Sequence, residues 1–242
     1  MSKIALVTGV SRSTGLGIEI VRQLAELDYI VYASARQIEQ VASLVTDLPL
    51  APKKIIPISL DITNQESLEA AVAQIESESG RLDALINNAG AFFDEGASAL
   101  ETDMDFVRAA FETNTLGAWR LIQLSVPLLK AAGHATVVNV TSGAGSFTDP
   151  QFGMAVHRAH VPTYAMTKAA ENAITVKLAK EFQPEGILVN AVCPGWVATF
   201  PGMAEMGARS VEEGAKGIVW AATLEEGGPS GGFFRDGEVL GW

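Results

Sequence analysis

The sequence predicts an α/β domain with a doubly wound parallel sheet of about seven strands and helices on both faces. Short apolar runs of strand length alternate with segments of helical period along the chain. The strand runs show little polar alternation, as expected of strands that are buried on both faces. No Pro/Gly/Ser-rich linker or charge block divides the 242 residues. We therefore expect one domain spanning residues 1–242.

Composition narrows the function classes. Hydrophobic residues make up 48% and charged residues 19%, which is enough apolar material for a sizeable core. A net charge of −11 disfavours nucleic acid and anionic membranes as partners. Cys193 is the single cysteine and is predicted to be a buried strand thiol, without disulfide or metal. Without a cleavable leader or a membrane-length apolar run, the chain is expected to be soluble and cytoplasmic.

A strand, glycine turn and helix open the chain. Residues 3–8 form an apolar run, and Ile18, Val21 and Leu24 then recur at helical spacing. Glycines between them let the backbone approach a ligand, and the helix N-terminus offers free N–H groups to a pyrophosphate. This position after the first strand predicts a dinucleotide site. Its candidate contacts are Gly9, Ser11, Arg12, Gly15, Leu16 and Gly17.

Arg36 indicates which dinucleotide binds. Residues 29–34 form the second predicted strand, and Arg36 stands just past its end, the position that faces the adenosine ribose. A carboxylate there would accept from a free 2′-hydroxyl, whereas a guanidinium matches a 2′-phosphate. With Arg12 in the glycine loop, this favours NADP(H) over NAD. A plain surface role stays open, more for Arg12 than for Arg36.

The third and fourth strands are predicted at residues 54–60 and 82–86. Asp61 and Ile62 close the third strand, where Asp61 either meets the adenine amino group or caps the turn. Thr63 to Glu66 reads as a capping box for a helix through about Ser79. The fourth strand opens into residues 87–90, and the next helical segment is interrupted near Asn114. A mid-helix Asn is usually solvated or bonded to its own backbone.

The remaining strands are predicted at residues 135–141, 187–193 and 232–236, and Ser210-Val-Glu-Glu213 is predicted to cap another helix. Ligands of a doubly wound sheet bind outside the carboxyl ends of its strands. Asn87, Ser142 and the glycine loop are therefore expected to meet in one crevice.

Tyr164 and Lys168 are the candidate proton donor and its partner. They are four residues apart on a helix predicted from about Pro162 to Phe182, and so share one face. A cation beside a phenol favours the phenolate, so we expect Lys168 to lower the pKa of Tyr164 toward the range of a general acid. The same spacing also occurs on solvated helices, so the surrounding motifs decide.

Those motifs, in this order, resemble the classical short-chain dehydrogenase/reductase family over nearly the whole chain, with its Rossmann fold. Within the family, residues 194–199 and the Phe-Phe-Arg-Asp-Gly237 ending look most like NADPH-dependent carbonyl reductases. The motifs are Thr8-Gly9 with Gly15-Leu-Gly17, Asp61-Ile62, Asn87-Asn-Ala-Gly90, Asn114, Ser142, Tyr164-Ala-Met-Thr-Lys168, and Pro194-Gly195 with Thr199.

The resemblance implies a role for each matching residue. Tyr164 would protonate the substrate oxygen, Ser142 would hydrogen-bond that oxygen, and Lys168 would tune Tyr164 and bind the nicotinamide ribose. Asn114 would hold a water that links Lys168 to solvent. Thr199 and the backbone near residues 195–197 would bind the carboxamide. The further implied cofactor contacts are Ile62, Asn88, Ala89, Gly90, Pro194, Gly195 and Val197.

Two places depart from the family pattern. Five residues separate Gly9 from Gly15, where the family has three, and 22 positions separate Ser142 from Tyr164 (164 − 142), which is longer than typical. The excess, residues 147–160, is either a substrate-side flap or an inert surface insertion. His157 and His160 within it lack a nearby third ligand, so we expect polar loop histidines and no metal site.

The leading hypothesis is an NADPH-dependent ketone and aldehyde reductase, reversible as an alcohol dehydrogenase and assembled as a homodimer or homotetramer. The alternatives are a 3-oxoacyl-carrier-protein reductase, whose acidic partner suits a chain at −11 poorly, and a non-catalytic nucleotide-binding regulator. Apolar residues in the crevice loops favour an apolar or aromatic substrate. They are Phe92, Phe93, Phe147, Phe152, Met154, Trp196, Phe200, Met203 and Met206.

Overall fold

The structure, a computed structural model, describes residues 2–46, 54–92, 94, 98–155 and 161–242. Its strands form one sheet in the order β3-β2-β1-β4-β5-β6-β7-β8. They are β1 (Ile4–Val7), β2 (Ile30–Ala35), β3 (Ile55–Ser59), β4 (Ala84–Asn87), β5 (Thr136–Val140), β6 (Leu188–Val192), β7 (Phe233–Arg235) and β8 (Glu238–Val239).

The doubly wound parallel sheet predicted from the sequence is confirmed, and it carries one strand more than the seven expected. Strands β1 to β7 pair in parallel, whereas β8 returns antiparallel to β7. Asp236 and Gly237 turn the chain there with φ of 55° and 80°, the two positive values that a tight hairpin turn requires. Strand order reverses between β1 and β4, which places the ligand crevice at their carboxyl ends.

Seven α-helices lie in the described residues, and six of them cover the two faces of the sheet. The helices α1, α2 and α7 bury Val21, Val41 and Ile218 against one face, while α3, α5 and α6 bury theirs against the other. None of these helices is long and apolar enough to cross a membrane. The bounds are α1 (Leu16–Glu26), α2 (Ile38–Thr46), α3 (Gln65–Ser79), α4 (Met104–Phe111), α5 (Gly117–Ala131), α6 (Pro162–Phe182) and α7 (Val211–Ala222).

One of the two predicted helix caps forms, and it is a capping box. Ser210 accepts from the Glu213 N–H and Glu213 reaches back, as predicted. The box predicted at Thr63 was wrong, because the N–H and hydroxyl of Thr63 both donate to Asp61 Oδ1. Asn64 caps α3 instead, accepting from the Ser67 N–H at 2.9 Å.

The interruption predicted near Asn114 is a five-residue π-helical turn, Glu112–Leu116, between α4 and α5. Such turns widen a helix locally and are frequent at functional sites. Gly117 follows the turn, and a Cβ there would meet the Ile62 carbonyl oxygen and lie 2.7 Å from Ile62 Cγ1. The junction therefore packs directly against the end of β3.

Gly117→Ala should lower the free energy of unfolding by about 1 to 3 kcal/mol, because the added methyl overpacks this junction. Gly217→Ala in α7 is the matched control, since its Cβ would meet nothing closer than 3.4 Å. Alanine should there stabilise the helix by about 0.5 to 1 kcal/mol. Denaturant unfolding measures both changes. Equal effects at the two positions would contradict the close packing at Gly117.

Candidate active site

Lys168 is buried beneath the carboxyl end of β5. Its ammonium donates to the Val140 carbonyl at 2.8 Å and to Glu171 Oε2 at 2.7 Å. Gly145 lies against the same helix, since a Cβ there would come within 2.7 Å of the Lys168 backbone. Burial opposes the charge on Lys168, but Glu171 and Tyr164 together raise the pKa of Lys168 above its ordinary value.

Tyr164 stands one helical turn before Lys168, whose ammonium lies 5.9 Å from the centre of the phenol ring. Burial raises the pKa of Tyr164 above its ordinary value. The Lys168 ammonium and a hydrogen bond from Ser142 both oppose that rise. The direction of the Lys168 effect is as predicted, but the predicted net lowering of the Tyr164 pKa was wrong because burial outweighs it.

Asn114 lies in the π-helical turn and is buried rather than solvated, although a mid-helix Asn is usually solvated or bonded to its own backbone. Its side-chain amide makes two hydrogen bonds to a residue 23 positions earlier in the chain. Oδ1 accepts from the Ala91 N–H at 2.7 Å, and Nδ2 donates to the Ala91 carbonyl at 2.9 Å. Nδ2 also lies 3.1 Å from Thr167 Oγ1. Asn114 thus ties the loop after β4 to helix α6.

Asp94 is a site residue that sequence reasoning missed. Helix α6 has no side-chain cap from its own N-cap residue, Val161. Asp94 supplies one from the loop after β4, accepting from the N–H groups of Thr163 at 3.0 Å and Tyr164 at 2.7 Å. A carboxylate there also interacts favourably with the positive end of the helix dipole, which stabilises the start of α6. No local signal marks it, because Asp94 is about 70 residues from the helix that it caps.

The glycine loop packs tightly on the end of β4. A Cβ on Gly9 would lie 2.7 Å from the Ala89 Cα, and one on Gly17 would lie 2.8 Å from the Gly9 carbonyl oxygen. Asn88 Nδ2 donates to the Thr8 carbonyl at 2.8 Å, and the Ala89 N–H donates to Thr8 Oγ1 at 2.9 Å. The predicted cofactor residues of these two segments therefore lie side by side.

The N-terminus of α1 is open toward this loop. Gly15 precedes the helix, and no side chain among the described residues caps its first N–H groups, at Leu16 and Gly17. Ser11 is exposed in the same loop. Uncapped N–H groups at a helix start, beside close-packed glycines, fit an anionic diphosphate.

The two candidate arginines are placed differently. Arg36 is exposed past β2, and its guanidinium makes no salt bridge with any residue that the structure describes. Arg12 instead lies over the ring of Phe200, 4.4 Å from its centroid. Asp61 caps the turn through Thr63, one of the two roles left open for it, and Ile62 is a buried core residue.

The segment after β6 reaches back to the glycine loop. Gly195 takes a left-handed φ of 77°, and Val197 bridges to Arg209, whose guanidinium also contacts the Pro194 carbonyl. The Thr199 carbonyl accepts from the Thr14 hydroxyl at 3.4 Å. The predicted carboxamide-binding residues thus border the same crevice as the predicted phosphate loop.

Only part of the predicted meeting at the crevice occurs. Asn87 instead points into the sheet, where its amide donates to Asn139 Oδ1 at 2.8 Å. Both amides are buried, and buried polar groups need hydrogen-bond partners. Phe92 lies beside Tyr164, with ring centroids 5.3 Å apart, and is 59% exposed. Cys193 is buried as predicted.

The described part of the insertion is anchored to the C-terminal end of the chain. Arg235 pairs with buried Asp149 and lies over the Phe152 ring, and Thr148 Oγ1 donates to the Trp242 carbonyl. Phe93, His157 and His160 lie outside the described residues. Within the described ranges, no group of three ligating side chains could hold a metal ion.

A buried Lys168 next to a partly buried Tyr164, beside an uncapped glycine cradle at the switch point of a doubly wound sheet, defines a nucleotide-dependent oxidoreductase. The chain belongs to the short chain dehydrogenase family, whose model matches residues 3–208. It is 35% identical over 233 residues to the short-chain dehydrogenase anuI of Penicillium roqueforti, covering 93% of this chain and 90% of that protein.

Two further relatives differ in their described activity. The 3-oxoacyl-[acyl-carrier-protein] reductase FabG of Staphylococcus aureus is 32% identical over 203 residues, covering 82% of this chain and 76% of that protein. An NADPH-bound carbonyl reductase from chicken fatty liver superposes with a TM-score of 0.84 at 26% identity, over 100% of this chain and 99% of that one.

Asp94→Ala should cost about 1 to 2 kcal/mol of stability and also lower activity, because the lost cap lies on the turn that carries Tyr164. Asp103→Ala is the matched control: Asp103 caps α4, accepting from the Asp105 N–H at 2.8 Å. It should cost similar stability with little change in kcat. Thermal unfolding and NADPH-linked turnover measure the two effects. A loss of activity in step with stability in both variants would argue against a site-specific role.

Proposed function

We propose that this chain is an NADPH-dependent carbonyl reductase that reduces apolar ketones or aldehydes and runs in reverse as an alcohol dehydrogenase. The observation that carries the proposal is the burial of Lys168 next to Tyr164, with Ser142 near enough to lower the pKa of the same phenol. A proton donor, its electrostatic partner and an oxygen-binding hydroxyl are the parts that carbonyl reduction requires. The NADPH-bound carbonyl reductase that shares this fold supports the same assignment.

The chain's own groups would act as follows. Ser142 orients the substrate oxygen, and Tyr164 gives its hydroxyl proton to that oxygen. Lys168 holds positive charge beside the phenol and stabilises the tyrosinate that is left. Asn114 keeps the loop after β4 against α6, which fixes the wall of the crevice near Lys168.

The residues present fit a phosphorylated dinucleotide, which supplies the hydride when bound. The uncapped N–H groups of Leu16 and Gly17 suit its diphosphate. The exposed guanidinium of Arg36, which makes no salt bridge with any described residue, suits a 2′-phosphate, while Lys168 has one ammonium donor beyond its two described contacts for the ribose. The segment from Pro194 to Thr199 suits the carboxamide.

Phe92 and Phe200 favour an apolar or aromatic substrate. Both are 59% exposed on loops that border the crevice, and Phe92 lies against the Tyr164 ring. A 3-oxoacyl-carrier-protein reductase is the second candidate, favoured by the similarity to FabG. The net charge of −11 speaks against it, because carrier proteins are acidic and like charges repel. A binding-only regulator would need no proton donor paired with a buried lysine.

We further propose a cytoplasmic homo-oligomer that associates through α5 and α6. An open groove runs between these helices, and Trp119, Val126 and Ile174 line it. Trp119, one of the exposed large apolar side chains, is 40% exposed in this groove, which offers apolar surface to a second subunit.

The first test follows NADPH absorbance against a panel of ketones, aldehydes and acyl thioesters. Wild type should reduce apolar ketones or aldehydes, and Tyr164→Phe should abolish turnover by at least about a hundredfold while NADPH still binds, because only the donor oxygen is lost. Lys168→Ala should be as damaging and should also weaken NADPH binding. Acyl thioesters as the best substrates would favour the second candidate, and an active Tyr164→Phe would remove the acid role from Tyr164.

Arg36 should set the cofactor preference. A charge-assisted bond to a phosphate contributes about 1.5 to 3 kcal/mol, roughly tenfold to a hundredfold in affinity. Wild type should favour NADPH by that factor, and Arg36→Asp should swing the preference toward NADH through repulsion of the 2′-phosphate. Arg12→Ala is the control, because Arg12 lies on Phe200. The kcat/KM ratio for the two cofactors measures each, and an unchanged ratio in Arg36→Asp would refute the assignment.

A further inference from the structure

Helix α6 carries a second buried charge that the proposed mechanism leaves unused. Glu171 pairs with Lys168 at 2.7 Å, and the two side chains are 3% and 5% exposed. Taking a carboxylate out of water is costly, and a buried ion pair can often be replaced by apolar residues without loss of stability. Packing alone therefore gives a weak reason for a glutamate at this position.

Glu171 belongs to a polar stripe on one face of α6. Tyr164, Lys168, Glu171 and Thr175 follow at intervals of four, three and four residues, so they align along the helix. Thr175 accepts from the Asn139 amide of β5 at 2.8 Å, which fixes the lower end of the stripe against the sheet. The order along the stripe places Lys168 between the phenol and the carboxylate.

Few other charged groups act on Tyr164, Lys168 and Glu171. Cys193, just past β6, acts on the Tyr164 phenol, and Arg235 of β7 approaches the Cys193 sulfur at 3.4 Å while pairing with Asp149. None of these makes a hydrogen bond or salt bridge to Glu171 in the part of the chain that the structure describes. Lys168 is the one described cation in contact with Glu171.

The signs of these charges are opposed at Tyr164. The Lys168 cation favours the tyrosinate, whereas the nearby carboxylate of Glu171 disfavours it and raises the pKa of Tyr164. Burial raises the pKa of Glu171 to about 7. Glu171 is therefore ionised throughout the alkaline range in which the phenol titrates, so its negative charge is present when Tyr164 loses its proton.

We propose that Glu171 is a positioning residue that offsets the charge of Lys168 at Tyr164 and so keeps the phenol protonated, which extends carbonyl reduction to higher pH and delays alcohol oxidation to higher pH. This rests on the proposed function. In reduction, Tyr164 gives its proton to the carbonyl oxygen, NADPH would supply hydride to the carbonyl carbon, and solvent returns a proton to the tyrosinate. In oxidation, tyrosinate must first take the alcohol proton, and NADP⁺ would take up the hydride.

The test is the ionisation of Tyr164 in the ligand-free protein, followed by the ultraviolet absorbance of tyrosinate. The chain has three tyrosines, so the Tyr164→Phe form of each protein is subtracted to isolate Tyr164. Glu171→Gln removes the charge but keeps an acceptor for Lys168. It should lower the titration midpoint of Tyr164 by about one pH unit, giving about tenfold more tyrosinate at a given pH below it.

Two variants separate charge from structure. Glu171→Asp keeps a carboxylate and should titrate close to wild type, and Glu181→Gln, on an exposed position of the same helix, should change nothing. A Glu171→Gln midpoint equal to or above that of wild type overturns the proposal. If Tyr164 ionises before alkaline unfolding, seen by circular dichroism, in Glu171→Gln but not in wild type, the proposal is supported. If it ionises in neither, the proposal fails.

Turnover provides the second measurement. The rise of kcat/KM for alcohol oxidation with pH should begin about one unit lower in Glu171→Gln than in wild type. If Glu171→Gln reduces carbonyls but its Tyr164 midpoint equals that of wild type, only the role of Glu171 is overturned and the reductase assignment stands. A moved midpoint in a protein that reduces no carbonyl would overturn the reductase assignment and leave the charge coupling supported.

Discussion

The burial of the Lys168 ammonium is the constraint on which the site depends. A buried cation is stable only with partners, and here the Val140 carbonyl at the end of β5 and the Glu171 carboxylate provide them. Because one partner is on the sheet and the other on α6, the pairing fixes the helix relative to the strand. The phenol of Tyr164, one turn earlier, is thereby held over the carboxyl end of the sheet.

Long-range bonds from side chains to backbone hold the loops around that pair. Asp94 caps the start of α6, and Asn114 ties the same loop to the π-helical turn. Asn88 joins the end of β4 to the glycine loop through the Thr8 carbonyl. Each bond links a loop to a rigid element, which is how short strands can present a crevice of fixed shape.

The crevice is bordered on its far side by a contact between two loops. Arg12 lies over Phe200, and the Thr14 hydroxyl donates to the Thr199 carbonyl. The two additional residues between Gly9 and Gly15 extend the glycine loop on this side. The extension therefore contacts the segment after β6, while the start of α1 keeps the uncapped N–H groups of Leu16 and Gly17.

The sequence by itself determined the sheet, the order of its elements and the positions of Ser142, Tyr164 and Lys168, because strand runs, helical period and glycine turns are local signals. It also placed the helix of Tyr164 at residues 162–182, as observed. Only the tertiary structure decided the partners. Asp94 as a distant cap and Asn87 turned into the sheet depend on which residues meet across elements. The i,i+3 pair of Lys168 and Glu171 is local, but its burial depends on the packing of α6. The pKa of Tyr164 does too, because burial is a property of the packed domain and outweighs the local effect of Lys168.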